Sequence, residues 1–103
     1  MTFNFLTTPE VVHTLGVRLR EQRLAQSLTQ RELAQMAGLS LGALRKLETD
    51  GRCSLETLVR VAQALGLLEA LDDLFVVKRQ SIAQMEQIDV ISRRQRAPRK
   101  KAS

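Results

Sequence analysis

An all-α fold of five short helices is predicted by three features of the sequence. Apolar residues recur at three- and four-residue spacing through most of the first 75 positions, the signature of amphipathic helices. Start and stop signals bracket these stretches, with Thr29, Ser40 and Ser54 before them and Gly38, Gly51 and Gly66 after them. Hydrophobic residues make up 44% of the chain but aromatics only 3%, with no Trp or Tyr, so the core must be built from Leu, Val and Ala. Such side chains suit helix-on-helix packing.

Taken in order, Phe3 and Phe5 alternate with polar neighbours and predict a short edge strand. Thr8-Pro9-Glu10 reads as a helix start, with Thr8 as N-cap and Pro9 at the first helical position. This first helix is expected to run to about Gln26, with Leu15, Leu19 and Leu24 inward and a weak point or break at Gly16. Leu28 to Gly51 reads as two short helices joined by a tight turn. Thr29 and Glu32 form a capping box, Leu33, Ala34 and Ala37 share one face, and Gly38 supplies the positive φ that ends the helix. Ser40 caps the next helix, whose buried stripe is Leu44 and Leu47, and Asp50-Gly51 closes it. After the Arg52-Cys53 connection, Ser54 caps a fourth helix with Leu55, Leu58, Val59, Ala62 and Leu65 inward, ended by Gly66. A fifth, from Leu67 to about Phe75, carries Leu68, Leu71 and Leu74 or Phe75 on one side. Beyond it the pattern fades. Ser81 to Glu86 reads as a helical turn or two, and Ile88, Val90 and Ile91 as a short strand. The last eleven residues lack apolar content and contain Pro98, which predicts disorder in the free protein.

The net charge of +5 is unevenly placed. Residues 12–66 carry eight basic and five acidic side chains, residues 67–92 two basic and five acidic. Residues 93–103 hold six basic side chains (Arg93, Arg94, Arg96, Arg99, Lys100, Lys101) and no acid. A polyanion prefers the first and last parts, while the acidic middle faces something else. Cys53 is the only cysteine, so no intrachain disulfide forms. No apolar run is long enough to cross a bilayer and the N-terminus has no leader pattern, so a cytoplasmic protein is expected. No nucleophile–base pair, phosphate-cradling glycine loop or zinc spacing is present, which argues against an enzyme and implies no cofactor or metal. His13 is isolated on a helix flank and reads as structural. Cys53 precedes a helix start, where a thiol pKa can fall, but its plainer reading is a small residue. Asp72 and Asp73 diverge on a helix and read as a solvated face.

The segment LTQRELAQMAGLSLGALRKLETDG, residues 28–51, resembles the DNA-binding helix-turn-helix of the Cro/C1-repressor (XRE) family, and the likeness extends over roughly residues 14–75. It implies a five-helix domain that binds DNA as a dimer with the third helix in the major groove. By that resemblance, Gln30 contacts phosphate, Arg52 and the capped helix start at Ser54 clamp the backbone further along, and Ser40, Leu41, Gly42, Arg45 and Lys46 face the DNA. Arg45 and Lys46 are the base readers, since both donate to guanine O6 and N7. Leu41 and Gly42 depart from the family, which often has Gln there. Leu41 offers only apolar contact, with a thymine methyl or sideways with the second helix, and Gly42 reads nothing, which shifts weight to phosphates and DNA shape. The resemblance also pairs Arg23 of the first helix with Glu48 at the end of the third; the alternative is two separate solvated charges.

The remainder, SLETLVRVAQALGLLEALDDLF, then SIAQMEQ and RRQRAPRK, resembles HipB-like regulators paired with HipA-type kinase toxins. That implies an antitoxin component that represses its own operon and binds the kinase or a companion small antitoxin. Four segments follow: an arm and helix start over 1–13, the helix-turn-helix domain over 14–75, an acidic and apolar partner or dimer segment over 76–92, and a disordered basic tail over 93–103. The tail either adds phosphate contacts or merely solubilises the chain. A palindromic operator and a homodimer are expected, with the interface open among the fifth helix, residues 82–91 and the Phe3–Phe5 arm. A stand-alone regulator without a toxin, and an adaptor that no longer binds DNA, remain as alternatives.

Overall fold

The computed structural model describes residues 3–78 and 82–96, and within the last helix the side chains of 86–94. The helices are α1 (Thr8–Ala25), α2 (Gln30–Ala37), α3 (Leu41–Asp50), α4 (Leu55–Ala64) and α5 (Ile82–Arg96), with a 3-10 turn at Leu68–Leu71 after α4. Two compact units divide the chain, Met1–Asp73 and Leu74–Ser103.

In the first unit α1 packs on α3, α2 on both α3 and α4, and α4 on the 3-10 turn. Leu33, Ala34, Ala37, Leu44, Leu47, Val61 and Leu65 form the core, with Leu19, Leu28, Leu39, Ala64 and Leu67 packed against it. The predicted inward faces of α2 and α3 are the observed ones. On α1 the buried residues are Gly16 and Arg23, with Leu19 between them, while Leu15 and Leu24 are exposed. The hydrophobic pattern misplaced this face because its buried residues are a glycine and a charged side chain. Similarly, α4 turns Val61, Ala62 and Leu65 inward and leaves Leu55 and Val59 exposed.

Capping chemistry explains where the helices begin. Thr7, one residue earlier than expected, caps α1, because only Thr7 stands three residues before Glu10 and completes a capping box. The Thr7 backbone N–H donates to Glu10 Oε1 at 2.8 Å and holds that carboxyl below its ordinary range. Thr29, Ser40 and Ser54 cap α2, α3 and α4 as expected.

Three helix ends share one device. Ser27, Gly38 and Gly66 adopt positive φ, and the leucine that follows each one donates its N–H back across the final turn, to Arg23, Ala34 and Ala62 respectively. These leucines, Leu28, Leu39 and Leu67, then pack on the core, completing a Schellman end with its apolar lock. At the end of α3 the left-handed residue is Gly51, followed by the exposed Arg52.

α1 continues unbroken through Gly16, because the glycine sits where α1 meets the end of α3: a Cβ there would overlap the Leu47 carbonyl oxygen. A Cβ on Gly51 would overlap the Val12 carbonyl. Phe3 to Leu6 form a turn closed by the Leu6 N–H to Phe3 oxygen bond at 3.1 Å, in place of the predicted strand, and the Arg18 guanidinium lies 4.9 Å from the centroid of the Phe3 ring. The expected fifth helix over 67–75 shortens to the 3-10 turn. In the second unit, α5 takes in the predicted strand at 88–91 and the start of the predicted disordered tail through Arg96. Ion pairing at i,i+4 between Arg93 and Asp89, 3.3 Å, supports that helix. Arg99, Lys100 and Lys101 lie outside the described residues.

Candidate nucleic-acid interface

α3 has two faces with different tasks. Leu44, Leu47 and Glu48 are buried, whereas Gly42, Arg45, Lys46 and Thr49 are exposed and Leu41 is half-buried. Positions 42, 45, 46 and 49 make up the exposed stripe of α3, within which Arg45 and Lys46, adjacent in sequence, leave the helix about 100° apart. Gly42 has open space where a Cβ would be, so the start of this stripe is flat. Ser40 is exposed, and its side chain accepts the Ala43 N–H at 3.1 Å.

Beneath that stripe lies a buried ion pair. Arg23 Nε donates to Glu48 Oε2 at 2.7 Å and Nη2 to Glu48 Oε1 at 2.9 Å, a two-pronged match between side chains only 7% and 2% exposed. Arg23 Nη1 donates to the Leu28 carbonyl at 2.8 Å, which ties the pair to the turn between α1 and α2. Burial pushes the Glu48 carboxyl upward, but the hydrogen bonds from Arg23 and Gln30 and the charges of Arg23 and Arg20 outweigh it, leaving it below its ordinary value. Arg23 is raised by its hydrogen bond to Glu48, against the opposing effect of burial. Among the described residues no buried side-chain polar atom lacks a partner.

The network continues outward. Gln30 Nε2 donates to Glu48 Oε1 at 3.0 Å, and Arg45 Nε donates to Gln30 Oε1 at 3.4 Å. Four side chains from α1, α2 and α3 thus run from the buried pair to the exposed stripe. Gln30, expected to face phosphate, makes this link as well; a glutamine opening a capped helix signals a surface role but not its neighbour.

At the other end of the stripe, Lys46 and Arg52 line a groove with Ala43, Cys53 and Thr57. Ser54 Oγ accepts the Thr57 N–H and donates to Thr57 Oγ1, both at 3.0 Å, so its hydroxyl is committed to the start of α4. Burial pushes the Cys53 thiol up, opposed by a backbone hydrogen bond from Leu58, which corrects the option of an activated thiol. His13 Nδ1 lies 3.1 Å from the Thr49 carbonyl oxygen, a contact between α1 and the last turn of α3. Among the described residues no group of His, Cys, Asp and Glu converges as a metal site, and no helix is long and apolar enough to cross a membrane.

A family model for the helix-turn-helix matches residues 19–71, about half of the chain, from within α1 to the last residue of the 3-10 turn. The chain belongs to the XRE-type helix-turn-helix family. No curated protein matches it. Membership makes it a DNA-binding transcriptional regulator with a Cro/C1-like fold, in which α2 and α3 are the helix-turn-helix itself. The match stops before Asp72, so α5 and the residues beyond it lie outside the family region. Of the site residues read from sequence, Gln30, Arg45, Glu48 and Arg23 join in one network, and Lys46 and Arg52 share one groove. Arg93 and Arg94 are exposed on α5, in the second unit.

Proposed function

We propose that this regulator represses transcription by laying α3 in the major groove of a palindromic operator, as a homodimer, with Arg45 and Lys46 reading bases. Gln30, Arg52 and the Ser54 helix start hold the flanking backbone, Ser40, Leu41 and Gly42 let the start of α3 approach closely, and Arg93, Arg94, Arg96, Arg99, Lys100 and Lys101 add phosphate contacts. The observation that carries this reading is the pair of exposed cations on the outer face of a helix whose inner face is anchored by the Arg23–Glu48 pair. A rigid positive stripe on a family-typed recognition helix suits guanine O6 and N7 acceptors. We further propose that the protein is the antitoxin-side component of a HipA-type kinase toxin–antitoxin operon, controlling its own operon and binding the kinase or a companion small antitoxin. Support for this finer reading is the resemblance of residues 54–75, 81–87 and 93–100 to HipB-like regulators, together with the acidic stretch 67–92, which DNA would repel.

Fluorescence anisotropy with duplex from the chain's own upstream region, against scrambled duplex, tests the DNA reading. Arg45→Ala with Lys46→Ala is expected to abolish the preference for the upstream duplex while leaving thermal unfolding unchanged. Unaltered preference would remove α3 from the groove. Co-expression with the product of the adjacent gene tests the partner: recovery of a stable complex with a kinase, unaffected by the double substitution, is expected, and a locus without a kinase gene favours the stand-alone regulator.

A further inference from the structure

We infer that Gln30 is a positioning residue for the base-reading arginine: fixed by Glu48, its amide holds Arg45 through Nε and leaves both terminal guanidinium nitrogens to DNA. The inference rests on the proposed role of Arg45 in base reading.

Glu48 is an ionised carboxylate and can only accept hydrogen bonds. Its Oε1 already takes Arg23 Nη2 at 2.9 Å, and Gln30 approaches the same oxygen at 3.0 Å. The glutamine must therefore present its NH2 group to Glu48, since its carbonyl oxygen would repel the carboxylate. With that end fixed, Oε1 faces Arg45, whose Nε lies 3.4 Å away. The backbone beneath Gln30 is held as well, because the Thr29–Glu32 capping box sets the first turn of α2.

An arginine can grip two acceptors along either of two edges, Nε with Nη2 or Nη1 with Nη2. Occupying Nε removes the first edge and leaves the end-on fork, which matches guanine O6 and N7. At 3.4 Å the bond is long and exposed, so it biases the arginine rather than locking it. A weak neutral acceptor of this kind supports roughly a two- to tenfold preference between rotamers. The buried ion pair thereby reaches the DNA surface through one amide.

Gln30→Met tests this in the full-length protein, since methionine keeps the length and removes both hydrogen bonds while Glu48 retains Arg23. A preferred duplex is selected from a randomised library, and anisotropy is then measured on it and on its single base-pair variants, for wild type, Gln30→Met, Arg45→Ala and the double variant. Arg45→Ala should lose discrimination at one base pair of each half-site. Gln30→Met should lose about two- to tenfold at that same pair and keep its salt dependence, and it should add nothing in the Arg45→Ala background. Uniform weakening on all duplexes, with no added loss at that base pair, would leave Gln30 a backbone contact alone and overturn the inference. Nitrogen-15 spectra of the free protein separate the two claims. An Arg45 Nε–H resonance that Gln30→Met does not move removes the link alone, whereas intact base preferences in Arg45→Ala remove the base-reading role and the inference with it.

Discussion

Arg23 and Glu48 set the acid sensitivity of the DNA-binding unit at the scale of single residues. Both are nearly buried, so removing one charge strands the other in a poorly solvated place. Glu48→Gln should destabilise the protein by about 3 kcal/mol, the lower end for breaking a buried pair, because the amide oxygen still accepts from Arg23. The pH dependence follows from the depressed Glu48 value. Its contribution is fully present above the ordinary carboxylate value of 4.5 and is lost as pH falls through the lower folded value. Arg23 is raised further above its already high ordinary value and stays charged throughout the acid and neutral range, so the acid limb belongs to Glu48. Urea unfolding across pH should show the gap between wild type and Glu48→Gln at full size at neutral pH, closing only below 4.5. A gap that stays constant into acid would mean the pair does not titrate as a unit with folding. Ser27 makes the opposite case, a residue whose replacement should help. Its φ of +59° is strained for any side chain but costs glycine little, so Ser27→Gly should raise stability by about 0.5–1 kcal/mol after the entropy it adds to the unfolded chain. Thermal unfolding midpoints decide it.

At the scale of elements, two helical glycines that look alike in sequence should respond oppositely to the same substitution. Helix propensity alone says that Gly→Ala stabilises a helix interior by about 1 kcal/mol. Gly42 has open space around its missing Cβ but lies in the first turn of α3, so Gly42→Ala should stabilise in the same direction by less than the interior value. Gly16 is pressed on the Leu47 carbonyl, so Gly16→Ala must push α1 off α3 and should cost about 2 kcal/mol or more. Urea midpoints moving in opposite directions would establish the close crossing; matching shifts would refute it. The contrast also shows what the sequence could and could not reveal. The caps of α2, α3 and α4 and the buried stripes of α2 and α3 were legible because they depend on local spacing. The Arg23–Glu48 pairing came only through the family resemblance. The inner face of α1 was hidden because Gly16 and Arg23 break the apolar pattern, and their burial depends on a helix some thirty positions away. Leu55 and Val59 misled for the converse reason: apolar residues at helical spacing that stay exposed. Beyond Phe75, β-branched Ile88, Val90 and Ile91 suggested a strand, yet no partner strand is found among the described residues and they lie in α5. The partners that Gln30 meets, Glu48 and Arg45, come from a different helix and leave no mark at fixed spacing.

Charge is a property of the whole molecule. The residues of the DNA-binding unit supply a handful of cations, whereas residues 93–103 concentrate six in one short stretch. Each phosphate neutralised by a cation releases counterion and steepens the fall of affinity with salt by about 0.9 in the logarithmic slope. Replacing Arg93, Arg94, Arg96, Arg99, Lys100 and Lys101 by glutamine should therefore lower the slope by up to about five if all six engage phosphate. Such contacts carry little sequence information, so the preference for operator over scrambled duplex should survive the replacement. Arg45→Ala should do the reverse, reducing the preference while changing the slope by at most about one. Measuring operator and scrambled duplex across salt for both variants separates reading from holding. A slope unchanged by the six glutamines would take the tail off the DNA and leave its charge for an acidic protein partner. A preference lost along with the tail would mean that α3 needs the tail to engage the groove at all.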